Sequence, residues 1–394
     1  MKQVDVVVLG RNYSTSLGLI QAAGEAGYIV GAVHSTEKSV GRRPLELRSK
    51  YVKKSLIITN RSNEKELVST LINNFSSSKE KVVLLPSDDY SVCAIDKNIH
   101  ELERYFIVPN VCHKTGEIIK CMDKNVQASM AVEAGLHTAK CWEVNIDGTN
   151  EPAVPSSVIY PCMIKPLRSV GAPKTYIRQC ESKDDLEKAL REIQQNKPCS
   201  ILIEEFINIE KEYTIPILAI GNEVIIPAFL KKNRVGAGTH KGVTIFGTVL
   251  SSARYPEIVE SMKKMVRRAG LNGIFDIELF ESNGEFFFNE LNLRNGAAGY
   301  ALTRAGVNLP ALWVDFCYGK HPSVEKMTFK EGLTFVSDKA AIENYRAGYM
   351  NWREYRNTVQ SADFRFLVDS GDSAIKCGFK RIEIRTILSK IIKG

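Results

Sequence analysis

The chain has 394 residues, 44% hydrophobic and 25% charged, with a formal net charge of +8. This is an ordinary globular composition with room for two or three domains of about 150 residues, and it excludes disorder, collagen-like repetition and a small stapled scaffold. The charge suits anionic ligands such as nucleotides but is too thin for a basic nucleic-acid-binding stripe, so no nucleic-acid partner is expected.

In chain order, residues 4–9 read as a buried strand ending in Gly10, not as a signal peptide, because Asp5 interrupts the short apolar run. A Ser/Thr-rich turn (Ser14, Thr15, Ser16) leads into a helix from Leu17 towards Gly27, and residues 28–33 read as a second strand. Strand–helix–strand order implies a parallel sheet. Residues 82–85 form another strand, ending in Pro86-Ser87-Asp88-Asp89. Gly10 and Gly18 do not complete G-x-G-x-x-G, and no Walker P-loop occurs.

Residues 122–134 read as a helix and residues 158–164 as a strand running into Lys165-Pro166. Ser182 reads as the N-cap of a helix with Leu186, Leu190 and Ile193 on one face. Residues 201–207 form a strand carrying Glu204 and Glu205. Residues 213–230 read as two strands about Gly221-Asn222, followed by a basic, Gly-rich stretch over 231–242. A helix over 257–269 carries Ile258, Met262, Met265 and Val266 at helical spacing.

The sharpest feature is the alternating pair of strands over 273–294, with a turn at Asn283-Gly284. A three-residue loop centred on Gly284 sets Glu278 opposite Glu290 and Asp276 opposite Asn292, all on one face. Like charges directly opposite each other are destabilising, and a hard divalent cation removes the conflict. The bland alternative is a solvated polar face. Lys165 leaves its apolar strand held extended by Pro166, placed for a phosphate, although most strand-end lysines are simply solvated. Lys124, at a helix start where cations are disfavoured, also calls for an anionic partner.

Together these features resemble the ATP-grasp superfamily, over roughly residues 1–320. That family carries a lysine before a small subdomain, a second lysine in a strand-end K-P, an acidic E-E-aromatic-aliphatic hinge, a downstream glutamate and an E-x-N-x-R. The chain looks most like the D-aspartate ligase and carbamoyl-phosphate-synthase-like branch. That likeness rests on residues 290–296 with Gly306-Val307-Asn308-Leu309 downstream, and on residues 84–90 and 105–109.

The implied fold class is α/β, turning α+β in the ATP-grasp part. A parallel αβ domain (1–112) precedes an ATP-grasp fold of two subdomains (113–205 and 206–320), and a C-terminal helical extension (321–394) follows. The resemblance implies that Lys124 and Lys165 hold ATP phosphates, with the hinge at Glu204, Glu205 and Phe206 on the adenine and Glu212 on the ribose. It implies Glu278, Glu290 and Asn292 as ligands of two Mg²⁺ ions, Mn²⁺ being the alternative, with Asp276 behind them. Arg294 steadies the reacting carboxylate and phosphoryl group. Arg234, His240, Asn295 and Gly296 are candidate substrate contacts, while Lys231 and Lys232 read as solvated. The loop after Lys165 departs from the family, being poorer in glycine and stiffened by Pro173.

The expected activity is ATP-dependent joining of a small carboxylate to an amine through an acyl phosphate, with an amino acid as one reactant. Two alternatives stand beside it: an ATP-grasp carboxylase or carbamoyl-phosphate-forming enzyme, or a non-catalytic nucleotide-binding partner. The sequence shows no biotin-carrier-type or glutaminase-type segment, which argues against the first. Nine cysteines without a C-x-x-C pair read as free thiols in a reducing cytosol, so a cytoplasmic protein is expected. Residues 381–393 read as a basic amphipathic helix with Ile384, Ile387, Leu388 and Ile391 as its stripe. It is expected to pack on its own domain or on a homodimer mate, with peripheral membrane contact as the alternative.

Overall fold

The structure, a computed structural model, describes residues 4–11, 13–147, 149–168, 174–238, 241–321 and 329–393. Among these the strands form three sheets. The first is parallel and built from β1 (Val6–Gly10), β2 (Val30–Ser35), β3 (Val52–Ile58), β4 (Val82–Pro86) and β5 (Phe106–Ile107), in the order β3-β2-β1-β4-β5. Every residue of β1 and β4 is buried, as expected for continuous apolar runs covered on both faces. The reversal of strand order between β1 and β4 opens a crevice at their carboxyl ends, and Asp88 there caps the helix Asp89–Lys97 by accepting from the Ser91 N–H.

After the short strands β6 (Asn110–Val111) and β7 (His137–Thr138), a four-stranded sheet joins β8 (Cys141–Val144), β9 (Cys162–Pro166), β10 (Arg178–Cys180) and β11 (Ile201–Glu205). The helix Lys183–Asn196 covers it, capped by Ser182, with Leu186, Leu190 and Ile193 buried. The strand expected from residue 158 begins only at Cys162. The largest sheet holds β12 (Lys211–Ile220), β13 (Glu223–Ile225), β14 (Ala228–Val235), β15 (Thr244–Ser251), β16 (Leu271–Ser282), β17 (Glu285–Asn292), β18 (Thr334–Val336) and β19 (Phe364–Arg365), with β6 and β7 at its margins. The helix Pro256–Ala269 lays Met262, Met265 and Val266 against it and ends at Gly270.

Two sequence expectations change here. The C-terminal extension is not only helical, because β18 pairs with β15 and β19 with β18, widening the large sheet. In the helix Ser373–Lys393 the buried positions are Ile375, Phe379, Glu383 and Thr386, whereas Ile384 and Leu388 of the expected stripe are 54% and 52% exposed. The reason is electrostatic. Glu383 holds a core-facing slot because Arg365 Nη2 (2.9 Å) and the Tyr355 hydroxyl donate to it, while Arg365 also pairs with buried Asp338 (2.6 Å).

The principal core gathers residues from both ends of the chain: Val6 and Val8 of β1, Tyr300, Trp313, Phe335, Phe364 and Phe379. Polar contacts follow the same closure. Tyr318 Oη donates to the Asp5 carbonyl (2.6 Å), Asn308 Nδ2 to the Ala22 carbonyl (2.7 Å) and Tyr300 Oη to Glu25 (2.6 Å). No described helix is long and apolar enough to cross a membrane.

Candidate functional site

The site grows from the β16–β17 hairpin. Its loop is a two-residue turn rather than the expected three-residue one, since Ser282 pairs with Glu285 and both Asn283 (φ 53°) and Gly284 (φ 79°) are left-handed. That is the type I′ geometry that Asn-Gly favours. The register then slips by one residue at Asn289, a β-bulge between the Leu279–Phe288 and Glu278–Glu290 pairs. The bulge restores the expected facing, with Glu278 opposite Glu290 and Asp276 opposite Asn292. The burial pattern agrees: buried positions are even at Phe288 and odd at Leu291 and Leu293, a parity change that an unbroken strand cannot make, and the run Phe286-Phe287-Phe288, apolar at both parities, conceals it in the sequence.

Lysines neutralise the facing carboxylates. Lys124, the first residue of the helix Lys124–Ala134, is buried and places its ammonium 3.0 Å from Glu290 Oε1. Burial pushes the Glu290 pKa up, but Lys124, Lys165 and Arg294 outweigh it and the net direction is down. Lys165, at the end of β9, lies 2.7 Å from Glu204 on β11, so the strand-end lysine and the hinge glutamate form one pair. The Lys124 N–H donates to the Leu167 carbonyl (3.3 Å), docking the exit of β9 on the helix start. Arg168 and Asp123 form a two-pronged contact beside it.

Lys232 corrects the expectation of a solvated residue. It is buried, 3.0 Å from Glu278 Oε2 and 3.4 Å from Glu212 Oε2. Burial lowers its pKa, Glu278 and Glu212 raise it, and the sum is upward, so the ammonium stays charged. The Gly-rich reading of 231–242 hid it, because β14 continues through Val235 and turns Lys232 inward. At the hinge, the Glu205 N–H donates to the Lys140 carbonyl (2.9 Å) and the Phe206 N–H to the Pro161 carbonyl (3.3 Å).

Arg294 joins the hairpin to the parallel sheet. Its Nε donates to Asp89 Oδ1 (2.8 Å), and Nη2 lies 3.5 Å from Asn292 Oδ1. Burial lowers its pKa, but Asp89 and Asp276 raise it more. Asp89 is a partner that the sequence does not announce, since nothing in a linear reading links residues 89 and 294. Asp276 is wholly buried, with Oδ1 unpartnered among the described residues, and burial pushes its pKa to about 7 against the opposing charge of Arg294. Gly296 backs onto it so closely that a Cβ would sit 1.8 Å from Asp276 Oδ2. Asn295 is buried, its amide donating to the Gly296 carbonyl (3.1 Å).

Arg234 goes elsewhere. Beyond a register shift in β14 it pairs with Glu354 (3.2 Å) of the C-terminal segment, not with the acids of the hairpin. His240, and residues 169–173 of the loop after Lys165, lie outside the described residues.

Among the described residues no three His, Cys, Asp or Glu side chains converge as a metal cluster. The donor set nonetheless fits a hard cation. Two carboxylates and an amide oxygen share one face, the oxygen donors a hard cation takes, and the ammoniums of Lys124 and Lys232 balance the carboxylates here.

Residues 129–307 match the model of the ATP-grasp domain. The chain is similar to the vancomycin/teicoplanin A-type resistance protein VanA of Enterococcus faecium, 25% identical over 49% of this chain and 59% of that one. It is also similar to a D-alanine–D-alanine ligase of Fusobacterium nucleatum, 26% identical over 44% of this chain and 57% of the other. The chain spans less than two thirds of the length of these curated relatives. Among solved structures, N5-carboxyaminoimidazole synthetase from Staphylococcus aureus shares the fold with a TM-score of 0.64 at 14% identity, over 89% of this chain and 86% of that one.

Proposed function

We propose that the protein is an ATP-dependent, ADP-forming carboxylate–amine ligase acting on an amino acid, a reading supported by the match of residues 129–307 to the ATP-grasp domain. The observation that carries this reading is the set of paired charges gathered about the β16–β17 acids: Lys124 with Glu290, Lys165 with Glu204, and Lys232 with Glu278 and Glu212. Lys124 and Lys165 can pass their ammoniums to an arriving triphosphate, whereas Lys232 stays between its two glutamates.

In this reading Lys124 and Lys165 turn from Glu290 and Glu204 to phosphate oxygens. Glu278, Glu290 and Asn292 would hold two Mg²⁺ ions, which when bound neutralise charge on the transferring phosphoryl group. Glu204 and Glu212 address adenine and ribose. With the N–H groups of Glu205 and Phe206 engaged, adenine recognition falls to carbonyl oxygens and to N–H groups beyond Phe206. Arg294, fixed by Asp89, steadies the substrate carboxylate as its oxygen attacks the γ-phosphorus. The product is ADP and an acyl phosphate, whose phosphate is a far better leaving group than oxide. An amine adds to the carbonyl carbon, the tetrahedral intermediate expels phosphate, the departing phosphate takes up the proton that the nitrogen loses, and an amide remains. Exclusion of water protects the acyl phosphate from hydrolysis.

The test is a screen of amino acids in pairs, read by phosphate release and by mass of the product. ADP and an amide that require both reactants are expected. If no pair yields an amide but bicarbonate with an amine drives ADP release, the carboxylase or carbamoyl-phosphate reading replaces this one.

A further inference from the structure

A buried lysine is rare because its charge must be balanced at close range. The Lys232 side chain is only 3% exposed. Its ammonium has three N–H donors, and three acceptors surround it: Glu278 Oε2 at 3.0 Å, Glu212 Oε2 at 3.4 Å and the Gly242 carbonyl at 3.4 Å. Lys232 stands on β14 directly opposite Glu212 on β12, and reaches past β12 to Glu278 on β16. The three acceptors therefore belong to three separate strands or their connections.

We propose that Lys232 is a positioning residue that locks the ribose-facing carboxylate, the cation-facing carboxylate and the chain entering β15 into one geometry, and that sets the charge balance between nucleotide and cation. This rests on the proposed roles of Glu212 and Glu278. With Lys232 the two glutamates carry a net charge of −1; without it they carry −2. Removing the ammonium therefore strengthens attraction for a bare divalent cation and weakens it for a polyphosphate anion. A side chain that served packing alone would weaken both on removal.

The experiment compares the full chain with Lys232→Met, which keeps length and removes charge. Calorimetry measures MgADP binding, and electron paramagnetic resonance measures Mn²⁺ binding without nucleotide. The expected result is MgADP affinity lower by about tenfold or more together with tighter Mn²⁺ binding, and return of Mn²⁺ affinity towards wild type in Lys232→Arg. Unchanged affinities, or both weakened in parallel, would overturn the proposal. Wild-type protein that binds no MgADP would overturn instead the function on which it rests. If Lys232→Met does not fold, Glu212→Gln leaves the ammonium on Glu278 alone, and Mn²⁺ affinity should then fall; an unchanged value rejects the coupling.

Discussion

Glu290 and Asp276 sit on one hairpin yet titrate in opposite directions, Glu290 held down by lysines and Asp276 pushed up by burial. Glu290→Gln keeps the shape and removes a charge that both Lys124 and a cation need, so turnover should fall by about 10–100-fold; a variant that keeps most of its activity would remove Glu290 from the cation site. Asp276 has a folded pKa of about 7 against 3.8 unfolded. The native state therefore binds more protons, and this group's contribution to stability is full below pH 4 and lost as pH rises through 7. Asp276→Asn should be more stable than wild type to denaturant unfolding at pH 8, by up to roughly 4 kcal/mol, and the gap should close by pH 4. A gap independent of pH would mean that Asp276 is ionised throughout. At this scale the sequence was legible where partners lie on the same hairpin. It is silent where they are far apart in the chain, as with Arg294 and Asp89, or where a basic stretch reads as surface, as with Lys232.

The β16–β17 hairpin shows how an element can be right in outcome and different in cause. The facing of Glu278 and Glu290 was expected from a three-residue loop, but it arises from a two-residue turn followed by a bulge at Asn289. The two routes give the same pairing at the acids and different pairings for the phenylalanines. Deleting Asn289 would turn Glu290 and Asn292 towards the core or flip Phe286 and Phe288 away from it. The deletion variant should lose stabilisation by MgADP in a thermal-shift assay. Retained stabilisation would show that these side chains need not face Glu278. Helices with clean punctuation, such as Ser182 before Lys183–Asn196 and Gly270 after Pro256–Ala269, were legible from the sequence because their caps are local. The helix Ser373–Lys393 was misread because its core-facing slot holds a glutamate, and only Arg365 and Tyr355, residues 18 and 28 positions upstream, explain why.

Across the whole molecule, the C-terminal segment is bound into the fold by a buried polar network of Asp338, Arg365, Glu383 and Tyr355. Glu383→Gln leaves Arg365 with one carboxylate fewer and should lower stability by roughly 2 kcal/mol, measured by denaturant unfolding. An unchanged midpoint would mean that Asp338 alone satisfies the guanidinium. The alternation of strands and helices in the first hundred residues made the parallel sheet legible. The participation of β18 and β19 in the large sheet was not, because strands of two or three residues leave no periodicity to read.

The first strand and the helix after it are covered by residues near position 300, with Tyr300 and Asn308 bonded to Glu25 and Ala22 of that helix and Tyr318 to Asp5 beside the strand. On the ribosome that surface must wait for its cover. At about 5–20 residues per second the interval is roughly 15–60 s, during which Val6, Val8, Leu17 and Ile20 present an open apolar face to the translation machinery. Its yield in the cell should therefore depend on how fast the ribosome reaches residues 300–318 and on whether a holding chaperone covers that face in the interval.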